Sequence, residues 1–205
     1  MKELQKILDS NEEVFWEGKP KFLPFFFSGL AGSLFGLVFL FGGALVLFEG
    51  IRTSNALLVL FPHFWVGVAF VFGVPLYKAL VYKHTYYAIT NKRVLLQTGL
   101  IGRDFEIVDF DQVTNAEVNV GAVDTLLGNG SGSILLFTAG SLTYTRQGPV
   151  QKPYTLSNID NPYGVFKFFK KASHDVKTDI QFPNKLRPKK NPGYGAKYKP
   201  PKLEE

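Results

Sequence analysis

Two long apolar runs dominate the first half of the sequence. Leu23–Phe48 holds 26 residues without a charged side chain, and Ala56–Tyr77 holds 22, interrupted only by His63 and two prolines. At about 1.5 Å per residue, the first run exceeds the roughly 30 Å hydrocarbon core of a bilayer. It is also much longer than the roughly 7–15 apolar residues of a signal peptide. The pattern predicts a transmembrane hairpin over residues 23–83, with helices at about 23–48 and 56–81.

Basic residues flank the two runs unevenly. Four lysines lie on the outer flanks of the hairpin and one arginine lies in its loop: Lys19, Lys21, Lys78, Lys83 and Arg52. By the positive-inside rule, both termini face the cytoplasm and the short loop 49–55 lies outside. The chain is therefore expected to be an integral protein of the inner or plasma membrane. Residues 1–22 form a cytoplasmic lead-in.

Within the apolar runs, two features allow more than one interpretation. Gly32 and Gly36 have a small-xxx-small spacing that suits packing against the second helix or another copy of the chain, although glycine is common in membrane helices. His63 lies near the outer end of its run. That position favours an interfacial side chain over a buried functional group.

After Lys83 the sequence changes to short β-rich segments separated by turn residues. Strands are predicted over residues 84–89, 93–100, 105–109, 113–120, 134–137, 142–146 and 154–156. About seven short strands in meander order indicate an antiparallel sheet that curls into a barrel or sandwich. An irregular stretch containing the glycine-rich segment Gly128–Ser133 separates the fourth and fifth strands.

A helix closes this domain, which is predicted over residues 84–177. Asn161 suits the N-cap and Pro162 the first helical position. Four apolar residues then recur at helical spacing: Val165, Phe168, Phe169 and Ala172. We expect this helix to cover one open end of the barrel.

Four segments resemble the bacterial pleckstrin-homology (PH)-like domain proteins that carry membrane anchors. They are Asn11–Pro20 (NEEVFWEGKP), Tyr86–Gly102 with its T-N-K-R turn, Ile107–Val118 (IVDFDQVTNAEV) and Leu126–Ile134 (LLGNGSGSI). The likeness covers roughly residues 11–175. It implies an α+β membrane protein: a helical hairpin followed by a PH-like split β-barrel with a capping C-terminal helix. It also implies oligomerisation in some members, with no catalysis and no agreed ligand.

The net charge of +6 is concentrated in a C-terminal tail, residues 178–205. This tail carries +4 through seven basic residues, Lys185, Arg187, Lys189, Lys190, Lys197, Lys199 and Lys202, against three acidic ones. Rich in Pro, Lys and Gly, it cannot bury enough apolar surface to fold alone. A folded nucleic-acid-binding domain usually carries its basic charge on the fold, so nucleic acid is an unlikely partner. A partner protein or the membrane surface suits the tail better.

Candidate binding residues are few, and no catalytic constellation is visible. Anionic lipid or a partner has nine candidate contacts: Lys92, Arg93 and Arg103 in the domain, and Lys185, Arg187, Lys189, Lys190, Lys197 and Lys199 in the tail. The Gly128–Ser133 loop lacks a Walker lysine and precedes a strand, which favours a tight turn over a phosphate cradle. The sequence has no cysteine, its three histidines are far apart in sequence, and no pair of carboxylates has a spacing that points to acid–base catalysis. We therefore expect a protein that is not an enzyme and that binds no cofactor or metal.

Two functional hypotheses follow. The first is a non-catalytic interaction module that serves as an accessory or scaffold subunit of a larger membrane assembly, or as a homo-oligomer. The alternative is a membrane-surface sensor that binds anionic headgroups through the barrel and the basic tail.

Overall fold

The computed structural model of the protein describes residues 3–10, 12–140, 142–145 and 148–181. Two compact units divide these residues. The helical unit is Phe22–Lys83, and the sheet unit combines the residues up to Lys21 with those from His84 onward. The helical unit is therefore inserted into the sequence of the sheet unit.

The helical unit contains two long apolar segments, each interrupted. The first consists of α1 (Phe22–Phe27) and α2 (Leu30–Arg52), and the second of α3 (Ala56–Val59), α4 (Pro62–Val68), a π turn (Ala69–Gly73) and α5 (Val74–Tyr82). The interruptions have local causes. Pro62 begins α4, and Pro75 has no backbone N–H to bond the carbonyl of Val71, which leaves a π turn before it. These breaks subdivide the two helices that the sequence predicts at about 23–48 and 56–81.

The two segments are apolar on their surface. Leu30–Arg52 and Ala56–Tyr82 have the length and composition to cross a membrane, and only 11% and 6% of their most apolar stretches are buried. Large side chains such as Val38, Leu45 and Leu57 are exposed. A core helix of a water-soluble protein would bury such residues.

A glycine at every seventh position lets α2 approach the second segment closely. A Cβ at Gly29 would lie 2.7 Å from Val74 Cγ1, one at Gly36 would lie 2.5 Å from Phe70 Cβ, and one at Gly50 would lie 2.8 Å from Leu58 Cβ; a Cβ at Gly43 would overlap the backbone of Phe64. A seven-residue spacing keeps all four glycines on one helix face. Of the two glycines with small-xxx-small spacing, Gly36 packs closely against the second segment of the hairpin, whereas a Cβ at Gly32 would lie an ordinary 3.7 Å from Val74.

Two adjacent glycines provide a matched test of this packing. Gly43→Ala should lower the free energy of unfolding by about 1–3 kcal/mol, because the new methyl group meets the backbone of Phe64. Gly42→Ala should leave it unchanged or raise it by about 1 kcal/mol. Its Cβ would be an ordinary 3.7 Å from His63, and alanine favours helix. Unfolding in mixed micelles, followed by the fluorescence of Trp65 in a Trp16→Phe background, would separate the two. Equal responses would contradict the close α2–α4 contact.

The sheet unit contains nine strands among the described residues, all in antiparallel pairs. One sheet has the order β1 (Val14–Gly18), β2 (Tyr86–Thr90), β3 (Arg93–Thr98), β4 (Asp104–Asp109); the other has the order β5 (Val113–Asn119), β6 (Gly132–Thr138), β9 (Tyr154–Ile159). A hairpin is formed by β7 (Leu142–Thr145) and β8 (Gly148–Gln151). Two strands exceed the predicted seven, namely β1 and β8. Closure of these sheets into a barrel stays a prediction.

Strand β1 precedes the helical unit in the sequence, whereas its pairing partner β2 follows that unit. Val14 pairs with Thr90 and Gly18 with Tyr87, so the segment before the first apolar run is the edge strand beside β2. From the sequence, residues 1–22 are predicted to form a separate lead-in and the domain to begin at residue 84. The structure instead places β1 in the same sheet as β2–β4. Its pairing partner lies about 70 residues away, beyond the reach of a local pattern.

The core of the sheet unit draws on both larger sheets and on α7 (Pro162–Gln181). The helix begins where the sequence predicts, with Asn161 Oδ1 accepting a bond from the Gly164 N–H at 3.0 Å. Its four predicted apolar residues are all buried, and Phe169 lies 5.8 Å from the ring of Phe110. A short helix that the sequence analysis took as irregular, α6 (Ala122–Leu127), precedes β6.

Candidate functional site

The best-organised charged cluster joins the N-terminal segment to the β2–β3 turn. Arg93 donates from Nε to Glu12 Oε1 at 3.0 Å and from Nη2 to Glu12 Oε2 at 2.8 Å, a two-point pairing of guanidinium and carboxylate. Nη2 also donates to the carbonyl of Ile7 at 3.2 Å. The side chain of Glu12 is 0% exposed. Two segments 81 residues apart in sequence are therefore held by one ion pair.

Thr90 and Lys92 complete this cluster, which we call the turn network (Asp9, Glu12, Thr90, Lys92 and Arg93). Thr90 Oγ1 donates to Glu12 Oε1 at 2.7 Å and accepts from the backbone N–H groups of Lys92 and Arg93 at 3.1 and 3.0 Å. Lys92 Nζ lies 3.0 Å from Asp9 Oδ2. Thr90 thus bonds the backbone of the T-N-K-R turn, and the carboxylates of Asp9 and Glu12 bind its two basic side chains.

The pKa values within the network reflect a balance of burial and pairing. Burial alone would raise the pKa of Glu12, but its bonds from Arg93, the Asp9 N–H and Thr90, together with the Arg93 charge, lower that pKa below its ordinary value of 4.5. The same hydrogen bond from Arg93 to Glu12 raises the pKa of Arg93. Both groups therefore stay charged at neutral pH.

The third basic candidate in the domain is paired by the same N-terminal segment. Arg103 Nε lies 2.7 Å from Glu3 Oε2, and Arg103 Nη1 donates to the carbonyl of Gly102 at 2.9 Å. Lys92, Arg93 and Arg103 thus each face a carboxylate of residues 3–12. The structure brings Lys92 and Arg93 together and places Arg103 in the β3–β4 turn. The tail candidates Lys185, Arg187, Lys189, Lys190, Lys197 and Lys199 lie outside the described residues.

A cleft of about 280 Å³ lies beside the turn network. Three carboxylates face two basic side chains in its lining, together with two apolar groups: Asp9, Asp109, Asp111, Lys92, Arg93, Phe110 and Val176. Negative side chains outnumber positive ones in this lining. A phosphate or sulfate group entering it would meet more negative than positive side chains.

The glycine-rich loop after α6 presents carbonyl groups to a lysine. Lys21 Nζ donates to the carbonyls of Gly128 and Asn129 at 3.0 and 3.1 Å. Ser131 Oγ donates to the buried carboxylate of Asp124 at 2.6 Å, which pins the loop from inside. A phosphate cradle needs N–H groups aimed at the ligand, whereas here carbonyl oxygens surround a cation. The loop is therefore a structural turn whose carbonyl groups bind the side chain of Lys21.

The described residues contain no candidate metal-binding group. The histidines are dispersed, with His63 in α4, His84 before β2 and His174 in α7, and no group of three His, Asp or Glu in the described part of the chain could hold a metal ion. Burial raises the pKa of Tyr87 to about 12, and its hydroxyl oxygen accepts from the Ser157 N–H at 3.0 Å. The Tyr87 hydroxyl therefore makes a structural hydrogen bond within the core.

Sequence reasoning missed the role of three residues that organise the domain: Asp9, Glu12 and Lys21. For Glu12 a signal was present, since the acidic lead-in and the T-N-K-R turn both belonged to the resemblance and carry opposite charges. Reading the two motifs as complementary would have suggested the pair. For Lys21 the partners are backbone carbonyls that no motif marks.

Comparison with known proteins identifies a family and a similar solved structure. A family described as "Bacterial PH domain" matches residues 33–160, more than half of the chain. The crystal structure of a DUF1696 family protein with a pleckstrin-homology domain from Shewanella loihica PV-4 is 13% identical, with an alignment that covers 84% of this chain and 91% of that one. Its TM-score of 0.37 is too low to carry an argument. No curated protein matches the chain.

Adjacent glutamates test the turn network. Glu12→Gln should lower the free energy of unfolding by about 1.5–3 kcal/mol, because the buried guanidinium bonds lose their charged acceptor. Glu13→Gln, at the neighbouring exposed position, should change it by less than about 0.5 kcal/mol. Thermal unfolding of both variants in the same detergent measures the difference. Equal stabilities would show that the Glu12–Arg93 pair does not hold the N-terminal segment.

The same pair predicts a pH dependence. Because the pKa of Glu12 is lower in the folded state, its contribution is complete at pH values above the ordinary 4.5 and is lost as the pH falls through the lowered folded pKa. The stability advantage of the wild type over Glu12→Gln should therefore be largest near pH 7 and shrink below about pH 4.5. Unfolding curves recorded from pH 7 to 3.5 measure it. An advantage that stays constant over this range would contradict the assigned ion pair.

Proposed function

The chain belongs to the bacterial PH domain family, and on that basis we propose that it is a membrane-anchored interaction module whose PH-like domain binds other proteins. PH-like domains are generally non-catalytic, and the family supports an interaction module at that level. Our proposal is more specific: the chain serves as an accessory or scaffold subunit of a larger membrane assembly, or as a homo-oligomer.

The helical unit supports the membrane anchor. Its two segments expose large apolar side chains along their whole length, a surface that water disfavours and lipid accepts. Helix α2 is 23 residues long, or about 35 Å, which is enough to cross the roughly 30 Å hydrocarbon core of a bilayer. With lysines on the outer flanks and one arginine in the loop, the sheet unit is expected on the cytoplasmic side.

The pairing of the domain's basic side chains is the observation that favours protein over lipid as the partner. Headgroup recognition needs several lysines and arginines free to contact phosphate. Here Lys92, Arg93 and Arg103 each contact a carboxylate of the N-terminal segment, and the adjacent cleft has more acids than bases. A phosphate ligand would compete with existing charge pairs, one of which is buried.

The lipid-sensor alternative is supported by the C-terminal tail. Its basic residues, from Lys185 to Lys202, follow a domain that the anchor would hold at the membrane surface. Juxtamembrane basic clusters are attracted to anionic leaflets by roughly 1 kcal/mol per residue near the surface. This attraction is screened by salt, whereas a protein contact with an apolar core is much less so.

The native mass of the protein tests the proposal. Extracted from its own membranes in mild detergent, the full-length chain should run well above 22.9 kDa plus its micelle, with defined companions or further copies of itself. Light scattering combined with mass spectrometry of the co-purifying chains gives both answers. A truncation after Gln181 is the matched comparison, because it removes the tail while keeping all the described elements.

Each outcome has a distinct meaning. If the truncated chain loses its companions, the tail carries the contact, and if it keeps them, the PH-like domain or the helices do. A bare monomer would contradict the assembly proposal. Salt-sensitive affinity of such a monomer for vesicles rich in anionic lipid would then favour the lipid sensor.

A further inference from the structure

Two turns of the sheet unit expose apolar side chains that its core does not use. In the β3–β4 turn, Leu100 and Ile101 are 40% and 90% exposed. At the end of α6, Leu126 and Leu127 are 81% and 43% exposed. Isolated exposed leucines are ordinary, but paired ones at two turns call for an explanation if both turns lie at the same place.

The β3–β4 turn lies beside the residue that follows the helical unit. Tyr86 in β2 pairs with Gln97 in β3, and Gln97 Nε2 donates to the carbonyl of His84 at 3.1 Å. Antiparallel pairing therefore puts the end of β3 next to the start of β2. Leu100 and Ile101 follow at once, at the end of the sheet where the chain arrives from Lys83.

The end of α6 lies beside the residue that precedes the helical unit. Lys21 Nζ donates to the carbonyls of Gly128 and Asn129, which directly follow Leu127. The backbone N–H of Lys21 also donates to the carbonyl of Asn158 at 2.8 Å. Because Phe22 is the next residue, the end of α6 lies at the point where the chain departs for the helical unit.

We propose that Leu100, Ile101, Leu126 and Leu127 form an apolar rim that enters the interface of the lipid bilayer. This inference rests on the proposed membrane anchor. Both turns adjoin positions at which the chain continues directly into segments of membrane-spanning length. The bilayer surface is therefore the nearest apolar phase to them, and side chains of this kind bury about 5–10 Å into the headgroup and acyl boundary.

The rim would determine which surface of the domain faces a partner. The turn network lies at the opposite end of β2 and β3, about 17 Å away for a strand of five residues. With the rim at the membrane, Glu12, Arg93 and the cleft beside them face away from the lipid. A sensor of anionic headgroups would need the reverse orientation.

Single-cysteine labelling tests the rim in the full-length protein, because the natural sequence has no cysteine. Ile101→Cys and Leu126→Cys probe the rim, and Glu13→Cys probes the opposite end of the sheet, where the Glu13 N–H bonds Asn91. Leu45→Cys, exposed in α2, reports on the span itself. Each variant carries an environment-sensitive fluorophore and is reconstituted in phosphatidylcholine vesicles containing lipids spin-labelled high on the acyl chain. All four side chains are exposed, so the fold should tolerate the labels.

We expect lipid quenching of the fluorophore at positions 101 and 126 to be at least about twofold that at position 13, with blue-shifted emission at the two rim sites. Strong quenching in the Leu45→Cys variant with weak quenching in the other three would overturn the rim while leaving the membrane anchor intact. Weak quenching in the Leu45→Cys variant as well would overturn the anchor, and the rim with it. Quenching at only one rim site would reduce the proposal to that turn and contradict a shared surface.

Discussion

The pairing of β1 with β2 is the constraint on which the rest of the structure depends. Because Gly18 lies opposite Tyr87, the chain must leave the sheet and return to the neighbouring strand within a strand spacing of about 4.8 Å. Anything inserted between them must begin and end at nearly the same place. Two antiparallel apolar segments joined by a short loop meet that requirement, and a single span would not. The glycines of α2 then allow those segments to approach closely.

The acidic segment before β1 stabilises the pairing of β1 with β2 through the ion pair between Glu12 and Arg93. An edge strand of five residues is weakly held by ladder hydrogen bonds alone, and the Glu12–Arg93 pair adds a buried, charge-assisted attachment at its start. Lys21 attaches the other end through carbonyls of the loop after α6. The strand is therefore fixed at both ends by side chains from outside it. The basic groups that suggested lipid binding have a structural role in this attachment.

Features encoded by neighbouring residues were predictable from the sequence, and features encoded by distant ones were not. Alternation and turn residues located β2–β6, and the spacing of Val165 and Phe169 identified the buried face of α7. Strand β1 was missed because VFWEG is short and its partner follows the helical unit. The pairing of Arg93 was missed for the same reason, since Glu12 lies 81 residues earlier. The break at Pro75 follows a local rule, but hydropathy alone conceals it.

The interrupted domain also changes how its ligands should be sought. A fragment beginning at His84 would lack β1, leaving β2 as a bare edge and Arg93 without its buried acceptor. Such a fragment would also expose Lys92 and Arg103, which contact Asp9 and Glu3 in the intact chain. Any affinity of the fragment for anionic lipid would then come from basic side chains that the truncation exposes, and it would not describe the intact protein. Since residues 3–21 belong to the sheet unit, a faithful test of the domain keeps them. The simplest way to do so is to study the whole chain in a bilayer.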